Sequence, residues 1–246
     1  MRATAVVRAL GPIDVRSISR DPLLAWIIAV PLLLGALVRW LLPQVDAFLL
    51  AEFELDLVPY HHLVASYIFV LMAPMTVGMV IGFLLLDERD DETLTALLVT
   101  PLSVESYFVY RITAPLVVCT ATTALGMALA GLVTVGWGPL FLVLGLAALG
   151  APVMSLFLAS FAENKVQGFA LVKGLGAVLL APVLAWWIAP PWQLLAGIVP
   201  SYWPLRAYWS AGDPGAVFWA SLCIGLIYHV VLLVVLLRRF QTVLHR

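Results

Sequence analysis

The sequence predicts an all-α polytopic membrane protein with six transmembrane helices, and three observations carry that prediction. Its 246 residues are 63% hydrophobic and only 11% charged, where a soluble domain carries about 25% charged residues. Mean hydropathy is +1.07. Apolar runs of about 20 residues, enough to cross about 30 Å of hydrocarbon as helix, recur six times. Each run is apolar around its whole circumference, whereas barrel strands are shorter and alternate apolar with polar residues.

The expected spans are residues 23–43, 63–86, 107–133, 140–161, 169–189 and 215–237, within a single transmembrane domain covering 1–246. The first run, from Leu23 to Pro43, is followed by no small-x-small cleavage site, so it reads as a retained anchor rather than a signal peptide. Five spans carry a proline, at Pro31, Pro74, Pro115, Pro152 and Pro182. Each proline removes one backbone hydrogen bond, which makes a hinge or an ordinary membrane-helix kink. Gly126, Ala130, Gly174 and Gly176 are small enough for close helix approach.

An even number of spans places both termini on one side, and basic residues choose the side. Arg2, Arg8, Arg16, Arg20, Arg89, Arg111, Lys165, Lys173, Arg238, Arg239 and Arg246 fall on the terminal side; only Arg39 and Arg206 fall on the other. Both termini are therefore expected in the cytoplasm of a plasma-membrane protein. The outer connections, residues 44–62, 134–139 and 190–214, are too short for a folded outer domain. A net charge of −1 and a pI near 6.4 recommend no nucleic-acid partner. Cys119 and Cys223 lie in apolar segments and read as free thiols.

The densest charge is in "LLLDERDDETLTALLVTPLSVESYF", residues 84–108. Its run Asp87, Glu88, Asp90, Asp91, Glu92 allows an intramembrane Mg²⁺-dependent prenyl or phosphoalcohol transferase, because clustered carboxylates bind hard cations. Such an enzyme needs a second facing cluster, and "AENKVQG" at 162–168 supplies only Glu163 and Asn164. A solvated acidic cap is the plainer alternative. Against it stand Leu94, Leu97 and Leu98 at helical spacing, ended by Thr100-Pro101. Asp91, Glu92 and Thr93 suit the first turn of that helix. An apolar helix face outside the bilayer wants a partner.

Residues 88–101, "ERDDETLTALLVTP", resemble the signature of ABC-2 type transporter permeases. That resemblance implies a cytoplasmic coupling helix between the second and third spans, docking into a groove on an ABC ATP-binding subunit through Glu88, Thr93, Leu94, Leu97, Leu98, Thr100, Pro101 and Leu102. Two positions depart from the signature: Glu92 stands at its usual glycine and Thr95 at its usual glutamate. "IDVRSISRDPLLAWIIAVP" at 13–31 resembles the family's N-terminal amphipathic elbow helix, which implies a surface helix over 1–22 ending in Arg20-Asp21-Pro22. In it Ile13, Val15 and Ile18 would enter lipid while Arg16 and Arg20 face headgroups. "GIVPSYWPLRAYW" at 197–209 resembles the family's external re-entrant segment before the sixth span, although Trp203, Tyr208 and Trp209 equally suit an interfacial belt.

A phosphate-cradling P-loop needs Gly-Lys-Ser/Thr, but Lys165 precedes Val166 and Lys173 precedes Gly174. The resemblance therefore implies a transporter membrane subunit that is not itself an enzyme. ATP and Mg²⁺ would be bound by the partner subunit, and the usual assembly has a second permease copy. A membrane scaffold without transport is the third class. His229 inside the last span is expected to be neutral and bonded to a neighbouring helix. His61 and His62 in "EFELDLVPYHH" offer a Zn²⁺ reading beside a merely solvated one. Arg39 and Lys173 are expected to snorkel. No G-x-S-x-G accompanies His229, which is expected near the inner face, so a hydrolase is unsupported. Short outer loops and apolar spans favour a small hydrophobic or amphipathic cargo, and the layout resembles permeases for fluoroquinolone or antibiotic export.

Overall fold

A computed structural model of the chain describes residues 3–90, 104–133 and 135–244. Among them every regular element is helical. Six helical stretches are long and apolar enough to cross a membrane: Leu24–Phe53, Val58–Asp90, Ser106–Ala130, Trp137–Phe161, Lys165–Trp187 and Ala216–Val243. The chain is a multi-pass membrane protein. A separate N-terminal helix, Ala3–Arg20, precedes the first span. The expected docking residues Thr93, Leu94, Leu97, Leu98, Thr100, Pro101 and Leu102 lie outside the described residues, as do Asp91 and Glu92.

Both ends of the chain meet one end of the bundle, called below the terminal face. Asp14 of the N-terminal helix bonds Tyr110 at the start of the third span, and Arg239 near the C-terminus stacks 4.0 Å from the Phe161 ring at the end of the fourth.

The first span is longer than its apolar run. Its helix runs from Pro22 to Phe53 through both Pro31 and Pro43, so most of the expected outer loop 44–62 is helix. Hydropathy falls at Gln44 and Asp46, but the backbone keeps its ladder, and the Gln44 side chain donates to Trp40 O at 2.9 Å. The turn comes at Glu54, where φ is +52°. Asp46 then reaches His61 at 3.0 Å, while the His62 ring packs 5.6 Å from Tyr208. The paired histidines thus point to different neighbours.

The prolines act where the second and fourth spans bend. Residues Ser66–Met72 form a π-helical segment directly before Pro74; a proline cannot donate to the preceding turn, and the wider π turn absorbs the mismatch. The fourth span breaks at Leu149 into Trp137–Ala148 and Gly150–Phe161. Pro152 falls in the first turn of the second piece, where its missing N–H costs little. The two bends face each other, since a Cβ on Gly150 would lie 3.2 Å from Pro74 Cβ.

Lipid is as apolar as leucine, so the bundle is held by close packing more than by expulsion of water. Gly35 of the first span meets Gly126 of the third, with a hypothetical Gly35 Cβ only 2.5 Å from Gly126 O. Gly174 and Gly176, expected at a close crossing, have no neighbour within 4 Å of an added Cβ. Gly131 closes the third span with φ +70°, and the Arg39 guanidinium lies over it where a side chain would stand. The second span is the most deeply enclosed, with 72% of its apolar window buried, against 17% for the first and 20% for the fifth. Trp26, Trp40, Leu226 and Val231 are exposed on outward faces, as lipid-facing residues should be.

The segment before the sixth span comprises the 3₁₀ turns Ala185–Trp187 and Trp192–Ile198 and the helix Tyr202–Trp209. Its aromatics divide: Trp187 and Trp192 are exposed, whereas those of the helix Tyr202–Trp209 turn toward the protein. Tyr202 and Tyr208 are fully buried, Trp203 Nε1 donates to Gly197 O at 3.1 Å, and Trp209 Nε1 donates to Ser66 Oγ at 3.1 Å.

Candidate functional site: an ionic network at the terminal face

The described residues flanking 91–103 come from two helices that continue past their apolar runs. The second span stays helical through Asp90, and the next helix begins at Val104. Glu88 therefore sits on the last turn before the segment. Tyr107, Tyr110 and Arg111 sit on the first two turns after it.

These groups converge on one buried cation. Arg111 Nη1 donates to Asp14 Oδ2 at 2.8 Å, with the Arg111 side chain only 1% exposed. Its Nη2 donates to Glu88 Oε1. Tyr107 Oη donates to Glu88 Oε2 at 2.6 Å, and Tyr110 Oη donates to Asp14 Oδ2 at 2.8 Å. The guanidinium also lies 5.4 and 5.5 Å from the two tyrosine ring centres, a cation–π arrangement. Arginine suits this place because its planar fork addresses two carboxylates at once, which the point charge of lysine does less well. The result ties the N-terminal helix to both chain segments that lead into and out of 91–103.

A second cluster lies beside the first. Lys165 Nζ pairs with Asp87 Oδ2 at 2.9 Å and Asp21 Oδ2 at 3.5 Å. Asp21 separates the N-terminal helix from the first span, and Pro22 follows at the first helical position. Arg89 reaches across to the fourth span, donating to the carbonyls of Ala159 at 3.4 Å, Ala162 at 3.0 Å and Glu163 at 2.6 Å. It thereby satisfies the orphan carbonyls at that helix end. The next helix is capped by Asn164, whose side chain accepts from Gln167 N at 3.0 Å, while Gln167 Oε1 accepts from Glu163 N at 2.6 Å. This reciprocal pair follows the logic of a capping box.

Asp87, Glu88 and Asp90 each face a basic side chain of the chain itself: Lys165, Arg111 and Arg89. Carboxylates so engaged are poor candidates for clamping Mg²⁺. Among the described residues no group of three or more His, Cys, Asp or Glu is arranged to hold a metal.

Of the sequence-predicted residues, Glu88 joins the buried network and Asp21 joins its neighbour. Arg16 and Arg20 are exposed, as are Ile13 and Val15, whereas Ile18 packs against the protein core. Sequence reasoning did not single out Asp14, Tyr107, Tyr110 or Arg111 as site residues. One signal existed, namely that Asp14 and Arg111 stand beside apolar runs where an unpaired charge is costly. His229, expected to bond a neighbouring helix near one face, lies at the middle of its span and donates from Nδ1 to Gly225 O of its own helix at 2.8 Å.

Removing the Arg89 cap has a local consequence. Arg89→Leu is expected to leave three carbonyls without a charged donor, each such bond being worth about 1.5–3 kcal/mol. Hydrogen exchange at residues 159–164 should accelerate, while exchange at Leu140–Leu146 stays unchanged; uniform protection at 159–164 would contradict the capping role.

No solved structure matches the chain. The family model described as "Fluoroquinolones export permease protein Rv2686c-like" matches residues 14–237. Two relatives from Mycobacterium tuberculosis, the fluoroquinolones export permease proteins MT2760 of strain CDC 1551 / Oshkosh and Rv2686c of strain ATCC 25618 / H37Rv, are each 35% identical over 235 residues, covering 95% of this chain and 93% of theirs. On a six-span helical bundle matched from Asp14 at one end to Leu237 at the other, the chain belongs to the Rv2686c-like family of export permeases.

Proposed function

We infer that this protein is the membrane subunit of an ABC-2 type exporter that moves a small amphipathic compound, fluoroquinolones being the first class to test, out of the cell. A separate ATP-binding subunit supplies the energy, because no lysine in the chain sits in a P-loop context. Both termini then face the cytoplasm, the terminal face is the inner face, and the helix Ala3–Arg20 is the elbow. The segment 185–209 takes the place of the external re-entrant element. A second permease copy completes the membrane part.

The observation that carries this reading is the Arg111 node. Residues 91–103 carry Thr93, Leu94, Leu97, Leu98, Thr100, Pro101 and Leu102, the docking set proposed for the ATPase groove, with Glu88 at their entrance. Glu88 on one side of that segment and Arg111 with Tyr107 on the other are bonded together and to Asp14. A push on the segment therefore cannot move the second span alone. It moves the second and third spans and the elbow as a unit, which is what tilting a bundle from a docking helix requires. Asp87, Lys165 and Asp21 extend the same linkage to the first and fifth spans.

The test pairs Leu97→Asp with an intact ATPase subunit. Burying a charge in an apolar groove costs several kcal/mol, so co-purification of the two subunits should fall at least tenfold. ATP-dependent norfloxacin uptake by inverted vesicles should disappear. Normal assembly together with normal substrate-stimulated ATP hydrolysis would remove 91–103 as the coupling segment.

A further inference from the structure

The bends in the second and fourth spans open space inside a single chain. A cavity of about 480 Å³ lies between the second, fourth, fifth and sixth spans and the 198–204 segment. Pro74 and Gly150, at the two bends, both line it. A smaller cavity of about 190 Å³ shares Leu71 and Met75 with it and adds Met72 and Met79. The larger volume is in the range of small-molecule sites, about 300–1,000 Å³. Thioether side chains adapt to ligands of different outline.

Besides Tyr228, two polar side chains break the apolar lining. His229 is 2% exposed and its Nδ1 proton is committed to Gly225 O, so the neutral ring presents Nε2 as an acceptor. Among the described residues nothing bonds Nε2. Ser201 Oγ, on the 198–204 segment that lines the same cavity, is buried without a partner. Buried polar groups are normally satisfied, and leaving them bare is costly. A packed helix or an acyl chain would leave both bare, whereas a ligand with a hydrogen-bond donor and an aromatic body would satisfy them and fill the rest. Phe161, Val178 and Ile198, each from a different element of the lining, are exposed apolar residues, so the cavity lining reaches the lipid-facing surface. Tyr228 Oη donates to Ile198 O at 2.5 Å and holds the outer wall to the sixth span.

We propose that this cavity is the cargo site within each permease chain, that it takes an amphipathic aromatic compound with an N–H or O–H donor from the bilayer, and that His229 Nε2 and Ser201 Oγ bind the donor end. The inference rests on the exporter reading for the identity of its ligand, but its test needs neither ATP nor a partner subunit.

The experiment measures norfloxacin binding by its own fluorescence to the full-length chain in nanodiscs, with size-exclusion profiles as the folding control. Wild type should bind saturably. His229→Phe keeps the ring volume and removes the acceptor, and should weaken binding about 5- to 20-fold. His229→Gln, which restores an acceptor, should recover most of that loss. Val178→Trp changes only an exposed position of the lining and should slow association at least fivefold. Three outcomes overturn the site: no saturable binding to wild type, wild-type affinity in His229→Phe together with wild-type association in Val178→Trp, or phospholipid retained at His229 and not displaced by norfloxacin. If binding behaves as expected but the assembled transporter moves no norfloxacin, the binding site stands and the exporter reading falls; norfloxacin uptake that persists unchanged in His229→Phe overturns the cargo role and leaves the exporter reading intact.

Discussion

Replacing Arg111 with methionine should destabilise the protein more than any other single change on the terminal face. The substitution leaves Asp14 and Glu88 buried together without their shared cation, and breaking a buried pair in this way costs about 3–5 kcal/mol. The tyrosine hydroxyls cannot compensate, because Tyr107 and Tyr110 each already donate to one of the two carboxylates. The expected result is a large drop in melting temperature of the detergent-purified protein together with lost export. Arg111→Lys should be intermediate, since an ammonium cannot present two parallel donors to both acids.

That single variant mixes folding with coupling, so a triple variant separates them. Asp14→Asn, Glu88→Gln and Arg111→Met together remove all charge while keeping nearly the same volume, and replacing a buried ionic cluster by neutral groups is often neutral or stabilising. The triple variant should recover the melting temperature. If the network transmits motion from 91–103, export should stay low despite the recovered fold. Wild-type export by the triple variant would reduce the node to a structural feature.

The second large effect is expected at Gly78. A Cβ there would lie 2.5 Å from Ala151 O and 2.6 Å from Met154 Cβ. The first is backbone and cannot rotate away, so the second and fourth spans must separate. Gly78→Val should cost about 3 kcal/mol or more, read as loss of a monodisperse peak on heating. Gly174→Val is the control, with no atom within 4 Å of the added carbon; apart from the cost of a β-branched residue on an exposed helix face it should behave as wild type. Equal melting behaviour of the two variants would mean that the second and fourth spans are not held at that crossing.

The six spans were legible because each is a continuous apolar run, a property of consecutive residues. Their ends were less so. The first span was expected to stop at Pro43, yet the helix passes it to Phe53, because hydropathy reports where lipid ends and not where the backbone ladder ends. Gly126 and Gly174 looked alike in sequence, and one proves to be at a backbone crossing while the other faces open space. Which small residue is needed depends on what lies opposite it.

The candidate site divides in the same way. Glu88 was reached through its place in the 88–101 motif, but its partners Arg111 and Asp14 are 23 and 74 residues away, and local spacing carries no information about such pairs. Only the packing of the N-terminal helix against the second and third spans decides that three charges of mixed sign share one buried point. By itself the sequence determined the membrane class and the six apolar spans, since these are written in runs of consecutive residues. The tertiary structure alone decided which charges meet, that Pro74 and Gly150 face each other at the two bends, and that His229 and Ser201 line one cavity. Those outcomes depend on distances between helices, and a one-dimensional pattern does not contain them.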